Sequence, residues 1–462
     1  MNRGIFRFAE TVRSSYWFIP GIMAFLSLLL GALMVWLDVV LGSEWLEGIG
    51  WYQMVKPEGA HEVLSTIAGS MITVAGVVFS ITIVAIAYAS SQFGPRVLTN
   101  FMADRGNKVT LGTFIATFTY CLVVLRTIRG GDEGSFVPQM AVLVGLFLAF
   151  CSIVVLIYFI HHVPQSIHIN NVVARIGRQL IDNVGKRFPD LIGDATRGEE
   201  APKTGNAAAM SVAARDQSRI SRVAGDATGY VQAIDDDALM RIARNGDLVL
   251  RLRYRPGDYL FAGRTLLEVW PVDRIDEDAA KALRGAFSVG AQRTPNGDLD
   301  FLINELVEIA TRALSTGIND PTTASTCMDW LGAGASEVAR RRIPDSQRVD
   351  EQGTLRVIAL PDGFENYVER AFGRLRQYSA RDMNAALHLL RTLGEVAACC
   401  CTAAQIRILA NEAEALKGMA AQMLSGAARV RVEDRAQELD LLLAAGPGAI
   451  DEREAGWLGG TA

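Results

Sequence analysis

Cysteines spaced to hold a metal or build a disulfide framework are missing from this sequence. Of its six, Cys121, Cys151 and Cys327 lie far apart, while Cys399, Cys400 and Cys401 are consecutive. Adjacent residues on a helix point in different directions, so the triplet offers no converging thiolates. A reducing compartment for the soluble part of the chain follows from this usage. A Gly-rich phosphate-binding loop, a G-x-S-x-G elbow and an H-E-x-x-H pair are also absent, which removes the commonest enzyme signatures. The net charge of −5 does not suit a general nucleic-acid binder, whose phosphate contacts need clustered Lys and Arg. The expectation is a non-enzymatic protein without catalytic residues, cofactor, metal or nucleic-acid partner.

What the chain has is hydrophobic length. Half of its 462 residues are hydrophobic, too many for an ordinary soluble protein and too few for one embedded throughout. Four apolar runs, at about 17–41, 63–88, 109–125 and 136–160, approach the roughly 20 residues that cross hydrocarbon. The first follows Arg3, Arg7 and Arg13 but is too long for a signal peptide and lacks an A-x-A site, so it reads as an uncleaved span. Basic residues set the orientation. Arg3, Arg7 and Arg13, then Arg96, Arg105 and Lys108, then Arg175, Arg178, Lys186 and Arg187 share one side; Glu44, Glu47, Glu58 and Glu62 lie on the other. Both termini are therefore expected in the cytoplasm. Trp36, Trp45, Trp51 and Tyr52 suit the outer interface.

Span two, "GSMITVAGVVFSITIVAIAYASSQFGPR", is unusually rich in small and hydroxyl residues. At about 100° per residue, Ser65, Gly69, Thr73, Gly76, Ser80, Ala87 and Ser91 fall on one narrow stripe interrupted by Ile83, opposite Ile72, Val78 and Ile81. Span three has Thr110, Thr113, Thr117 and Cys121, and span four Gly145, Ala149 and Ser152. Two readings stand: close helix packing through small residues, or a path lined by Ser65, Gly69, Thr73, Gly76 and Ser80 where several subunits meet. No charge lies mid-span, which argues against an ion-coupled pump but not against a passive pore. Gly94 and Pro95 must end or bend the helix, leaving Gln92 and Arg96 at the inner mouth of any path. The alternative is an interfacial elbow with a lipid-binding arginine. His161, His162 and His168 cluster around Pro164, but their spacing matches no standard metal motif.

Beyond the spans, residues 169–188 read as a connecting helix and the stretch to about 225 as a linker rich in Ala, Gly and charge. From Gly229 the pattern changes to strands: "YVQAI", "DLVLRLRY", "YLFAGRTLLEVWP". "RPGDYLFAG" resembles a turn of the small β-barrel modules related to biotinyl and lipoyl carriers. No lysine occurs between Lys203 and Lys281, so a covalent carrier is not expected and a structural β-barrel-like module over 226–272 is. In 273–445 helices dominate, with another strand at "GTLRVIALPD". Leu302, Leu306, Ile309 and Ala313 form an apolar stripe; Glu305, Glu308 and Arg312 share another face, the pattern of a solvated ion-pair surface. In "GINDPTTA", Gly317 ends one helix, Asp320 caps the next and Pro321 occupies its first turn; Asn319 and Asp320 are also candidate ligand contacts. Helices are expected over 364–378, 382–398, 402–423 and 427–443, and the tail begins at 446.

The stretches "SSQFGPRVLTNFMADRGNKVTLGTFIATFTYCLVVLRTIR" and "ALSTGINDPTTA" resemble a widespread bacterial family of predicted membrane proteins. That resemblance covers nearly the whole chain and implies an inner-membrane protein with four spans and a cytoplasmic domain, with no activity to carry over. The expected architecture is a four-span α-helical transmembrane part (1–168) and an α+β cytoplasmic domain ending in helices. Three roles compete: a homo-oligomeric channel or passive transporter for an ion or small solute, a membrane-anchored structural or signalling scaffold, and a membrane enzyme. The lipid bilayer is a partner in all three.

Overall fold

A computed structural model describes residues 17–41, 56–94, 104–129, 136–187, 194–195, 220–294, 298–341, 345–360 and 363–446. The chain divides into two compact units at Asn171/Val172.

The first unit holds four helices long and apolar enough to cross a membrane, among the described residues. They are α1 (Phe18–Leu41), α2 (Pro57–Phe93), α3 (Arg105–Leu125) and α4 (Gln139–Ile167). At 37 residues, α2 is about 55 Å long at 1.5 Å per residue, well beyond the ~30 Å of bilayer hydrocarbon. It stops at Phe93, where Gly94 (φ 105°) donates its N–H to Ser90 O. Helix α4 runs through Pro164 without ending.

Span α3 is the centre of this unit: half of its apolar window is buried, against 17%, 22% and 22% for the other three. Close approach explains why. Cβ atoms at Gly112 and Gly31 would lie 2.5 Å from Met23 Sδ and 3.0 Å from Val123 Cγ1, so α1 and α3 touch nearly backbone to backbone. Gly145 of α4 likewise admits Leu64 and Tyr120. Thr117 and Ser152 share a buried 3.0 Å hydrogen bond between α3 and α4. Gly112 and Thr117 of span three and Gly145 and Ser152 of span four are therefore packing residues, as membrane helices use them where lipid gives no hydrophobic drive to associate.

The second unit begins in α5 (Ile169–Arg187), whose apolar face of Val172, Val173, Ile176, Leu180 and Val184 is buried. Gly177 lies under the Trp330 ring, where a Cβ would be 2.2 Å from Trp330 Cδ2. The segment read as a connector is thus part of this unit's core.

Strands β1 (Asp194–Ala195), β2 (Ser221–Ala224), β3 (Gly229–Ile234), β4 (Val249–Leu252), β5 (Tyr259–Leu260), β6 (Thr265–Trp270) and β7 (Phe287–Gly290) fall with α6 (Asp236–Asn245) and α7 (Glu277–Gly285) between them. Helices α8 (Leu299–Ala313) and α9 (Pro321–Arg340) follow, then β8 (Gln347–Val349) and β9 (Leu355–Ile358). The chain closes with α10 (Phe364–Val368), a π-helical turn (Glu369–Gly373), α11 (Arg374–Ser379), α12 (Met383–Ala398), α13 (Ala403–Met423) and α14 (Gly426–Ala445).

The β-barrel-like module is not formed. Its strands enter two open sheets, β1-β8-β9-β4-β6-β2 and β5-β3-β7. Strand β4 pairs in parallel with β9, Leu250 opposite Val357, so the larger sheet takes strands from outside 226–272. Ionic contacts clamp that insertion. Arg356 of β9 donates from Nε to Asp350 Oδ2 at 2.7 Å and from Nη1 to Asp247 Oδ1 at 2.6 Å. One face of the sheet buries Leu250, Leu267, Val269 and Val357 against Leu239 and Ala243 of α6 and Leu283 of α7.

Aspartate is the recurrent helix cap of this chain. Asp104, Asp235, Asp276, Asp298, Asp320 and Asp382 each accept from the backbone N–H three residues on, capping α3, α6, α7, α8, α9 and α12. Thr402 and Gln405 form a capping box on α13. The predicted stripe of α8 is the buried one, with Leu302, Leu306, Ile309 and Ala313 all inside. Helices α9 and α12 cross at Gly332, where Thr392 Cγ2 stands 2.6 Å from a would-be Cβ.

Candidate functional site

The span-two stripe is displayed, not packed. Within the bundle α2 buries Ala60, Leu64, Ala68, Ala75, Val78, Thr82 and Ala89. Ser65, Gly69, Thr73, Gly76, Ser80, Ala87 and Ser91 are all exposed. Added Cβ atoms at Gly69 and Gly76 would meet nothing within 4 Å. Thr73 donates its hydroxyl to Gly69 O at 2.8 Å, and its neighbour Ser70 to Thr66 O at 2.7 Å. The other outward surfaces differ in chemistry. Helix α1 shows Phe25, Leu29, Leu33 and Val39, and α4 shows Phe147, Phe150, Val154 and Ile157. Of the residues assigned to the opposite face of α2, Ile72 and Ile81 are exposed while Val78 turns into the bundle against Phe114 and Phe159.

Of the inner-mouth candidates, Arg96 and the side chain of Gln92 lie outside the described residues, as do Trp45, Trp51 and Tyr52 of the aromatic belt and the tail from 447. At the start of α3 the structure assembles a polar cluster that the spacing did not show. Asp104 caps α3 through Asn107 N at 3.0 Å and also meets His162 Nε2 of α4 at 3.0 Å. The His162 ring stacks on Tyr158, centroids 5.1 Å apart. Gly106 leaves room for both, since a Cβ there would lie 2.7 Å from His162 Nε2. Asn107, Lys108 and Thr110 are buried beside them. The histidines are thus divided: His162 serves Asp104, and His161 meets Gln165 at 3.0 Å. No group of three or more potential metal ligands converges among the described residues.

The other end of the bundle is held by an acid that composition alone ignored. Asp38 of α1 is buried and accepts from Met140 N (3.0 Å) and Ala141 N (2.9 Å), capping α4 across helices. Pro138, at the N-cap position of α4, has no side-chain acceptor to offer. Tyr120 completes the contact by donating to Ala141 O at 2.9 Å. A hydrophobicity scan passes over Asp38 because its partners are about a hundred residues away in sequence.

In the second unit, Asp320 accepts from Thr323 N at 3.1 Å and from its hydroxyl, the capping role read from sequence. Asn319 has φ 51°, a left-handed turn conformation that asparagine tolerates, and is exposed. Glu305 departs from the solvated-face reading: it is buried, while Glu308 and Arg312 form the expected pair at 3.3 Å. An open groove between α13 and α14 is lined by Cys401, Ile406, Arg407, Asp440 and Leu443.

No solved structure matches the chain. It is similar to the uncharacterized protein Rv1290c of Mycobacterium tuberculosis and to Mb1321c of Mycobacterium bovis, 33% identical to each over 350 residues. The match takes in 74% of this chain and 65% of each relative, so this chain spans just under two thirds of their length. The model of the family described as "Predicted membrane protein (DUF2254)" matches residues 13–395. The chain therefore belongs to this DUF2254 family of predicted membrane proteins.

Proposed function

We propose that the protein is a homo-oligomeric channel or passive transporter of a bacterial inner membrane, not an enzyme, with α2 of each subunit lining the path of an ion or small solute. The observation that carries this reading is the contrast on the bundle surface. Lipid accepts the Phe, Leu, Ile and Val faces of α1 and α4 without cost, whereas α2 spends an outward face on Ser65, Gly69, Thr73, Gly76 and Ser80. Such a face gains most by meeting copies of itself, because small residues let helices approach and hydroxyls tolerate water between them. Ser65 and Ser80 have no hydrogen-bond partner among the described residues, which leaves their hydroxyls available to a hydrated permeant. In this reading the termini are cytoplasmic and the soluble unit is an assembly or gating platform.

One observation favours the scaffold instead. The Thr73 and Ser70 hydroxyls donate back to the carbonyls four residues earlier, a satisfied state suited to dry packing. Single cysteines at Gly69 and Gly76 discriminate the assembly claim. Cross-linking of these cysteines between copies in native membranes, with none from Ile72→Cys, is expected; cross-linking through Ile72 alone would place another face at the axis. An aqueous path further requires that Ser80→Cys react with a small charged thiol reagent.

A further inference from the structure

The stretch "RLRYRPGDYLFAGR" (251–264) carries four arginines, one aspartate and three aromatic residues, and the fold turns it into a rigid exposed tip. Residues 261–264 form a β-turn: Arg264 N donates to Phe261 O at 3.1 Å, and Gly263 supplies φ +83° with open space around it. The tip is pinned from below. Gly263 N donates to Gly225 O (2.9 Å), Gly225 N to Arg264 O (3.0 Å) and Ala262 N to Thr228 Oγ1 (3.1 Å).

What this held turn presents is apolar and cationic. Phe261 is 60% exposed and Tyr259 43%. Their rings meet edge to face at 5.1 Å, and Tyr259 meets Tyr230 at 4.9 Å. Arg251 and Arg253 pair with Glu268, and Arg255 with Asp258. Arg264 is exposed and has no ion pair among the described residues. Asp226, beside Gly225 on the pinning loop, is also without an ion pair among them; the four arginines against Glu268, Asp258 and Asp226 leave a net charge of +1. Nothing in the unit's core uses Phe261, and the fold has built four backbone or hydroxyl contacts to hold it outward.

We propose that the 259–264 turn is a membrane-docking element that seats Phe261 and Tyr259 among the headgroups of an anionic lipid surface, with Arg264 on lipid phosphate. Aromatic rings favour the bilayer interface, and basic side chains gain from anionic lipid near its surface. The second unit is joined in sequence to a membrane-spanning helix: α4 ends at Ile167 and the unit starts at Val172. Such a short tether keeps the headgroups at high effective concentration around this unit. A partner that has to diffuse to the site lacks that advantage, and the proposal does not depend on whether the protein conducts.

Hydrogen exchange of the full-length protein in lipid nanodiscs tests it. Amides of 259–264 are expected to exchange about fivefold more slowly in anionic than in zwitterionic discs, the effect of one arginine at an anionic surface. The paired substitution Phe261→Ser and Arg264→Glu should abolish that difference while leaving exchange in the β4–β9 core unchanged. Equal exchange in both discs would overturn the proposal. Protection in detergent that grows with protein concentration would assign the turn to a second copy, and protection by an added RNA oligonucleotide would assign it to nucleic acid; either result also overturns it.

Discussion

Single residues carry more of this fold than their frequency suggests. Asp38 closes the bundle by capping α4 from α1, and loss of a capping side chain typically costs about 1 kcal/mol. Asp38→Ala should therefore lower the thermal midpoint of the detergent-solubilised protein, with Asp38→Asn intermediate because one acceptor oxygen survives. In the sheet, burial by itself would raise the Asp350 carboxyl, but the Arg356 guanidinium and the backbone N–H groups of Thr354 and Gln352 hold it below the usual carboxylate range. A depressed folded pKa contributes stability above the unfolded value of about 3.9, and that contribution is lost as the pH falls through the folded value. The second unit should accordingly lose stability on acidification below about pH 4. Removing one partner of a buried pair costs about 3 kcal/mol, so Asp350→Ala should destabilise this unit strongly at neutral pH and flatten that acid limb. Circular dichroism melts of wild type and variant across pH measure both effects.

At the scale of elements, α2 has two faces made of similar small residues doing different things. Ala75 is buried among Val78, Phe114 and Phe159, whereas Gly76, the next residue, faces open space. Ala75→Leu should overpack the bundle and destabilise it by about 1–3 kcal/mol. Gly76→Leu should leave subunit stability nearly unchanged and weaken assembly or flux; melting curves beside size-exclusion profiles separate the two. This division was only half legible in the sequence. Periodicity located the stripe, but which small face turns inward depends on neighbours such as Phe114 and Phe159 that no local pattern supplies. The sheets failed for the same reason. The strands around "DLVLRLRY" and "GTLRVIALPD" are each visible as runs, yet the pairing of Leu250 with Val357 joins segments over a hundred residues apart, so a closed local module was the natural but mistaken reading. Asp320 was legible because a cap is made within four residues. Glu305 was not, since whether a carboxylate on a helix is wet depends on what packs over it.

At the scale of the whole molecule, one chain joins a four-span unit to a mixed sheet-and-helix unit. Orientation has a direct chemical handle. Cys401 is exposed in the second unit, so a membrane-impermeant maleimide should label it in inside-out vesicles and leave it unlabelled in intact spheroplasts; the reverse pattern would invert the topology. The central claim is that copies of α2 enclose a path, and flux of small anions and cations into proteoliposomes is its most direct measurement, made on wild type and Ser80→Leu side by side. Flux is expected with the wild type, and its loss in a Ser80→Leu protein that still assembles. Undiminished flux through the assembled Ser80→Leu protein would contradict the account.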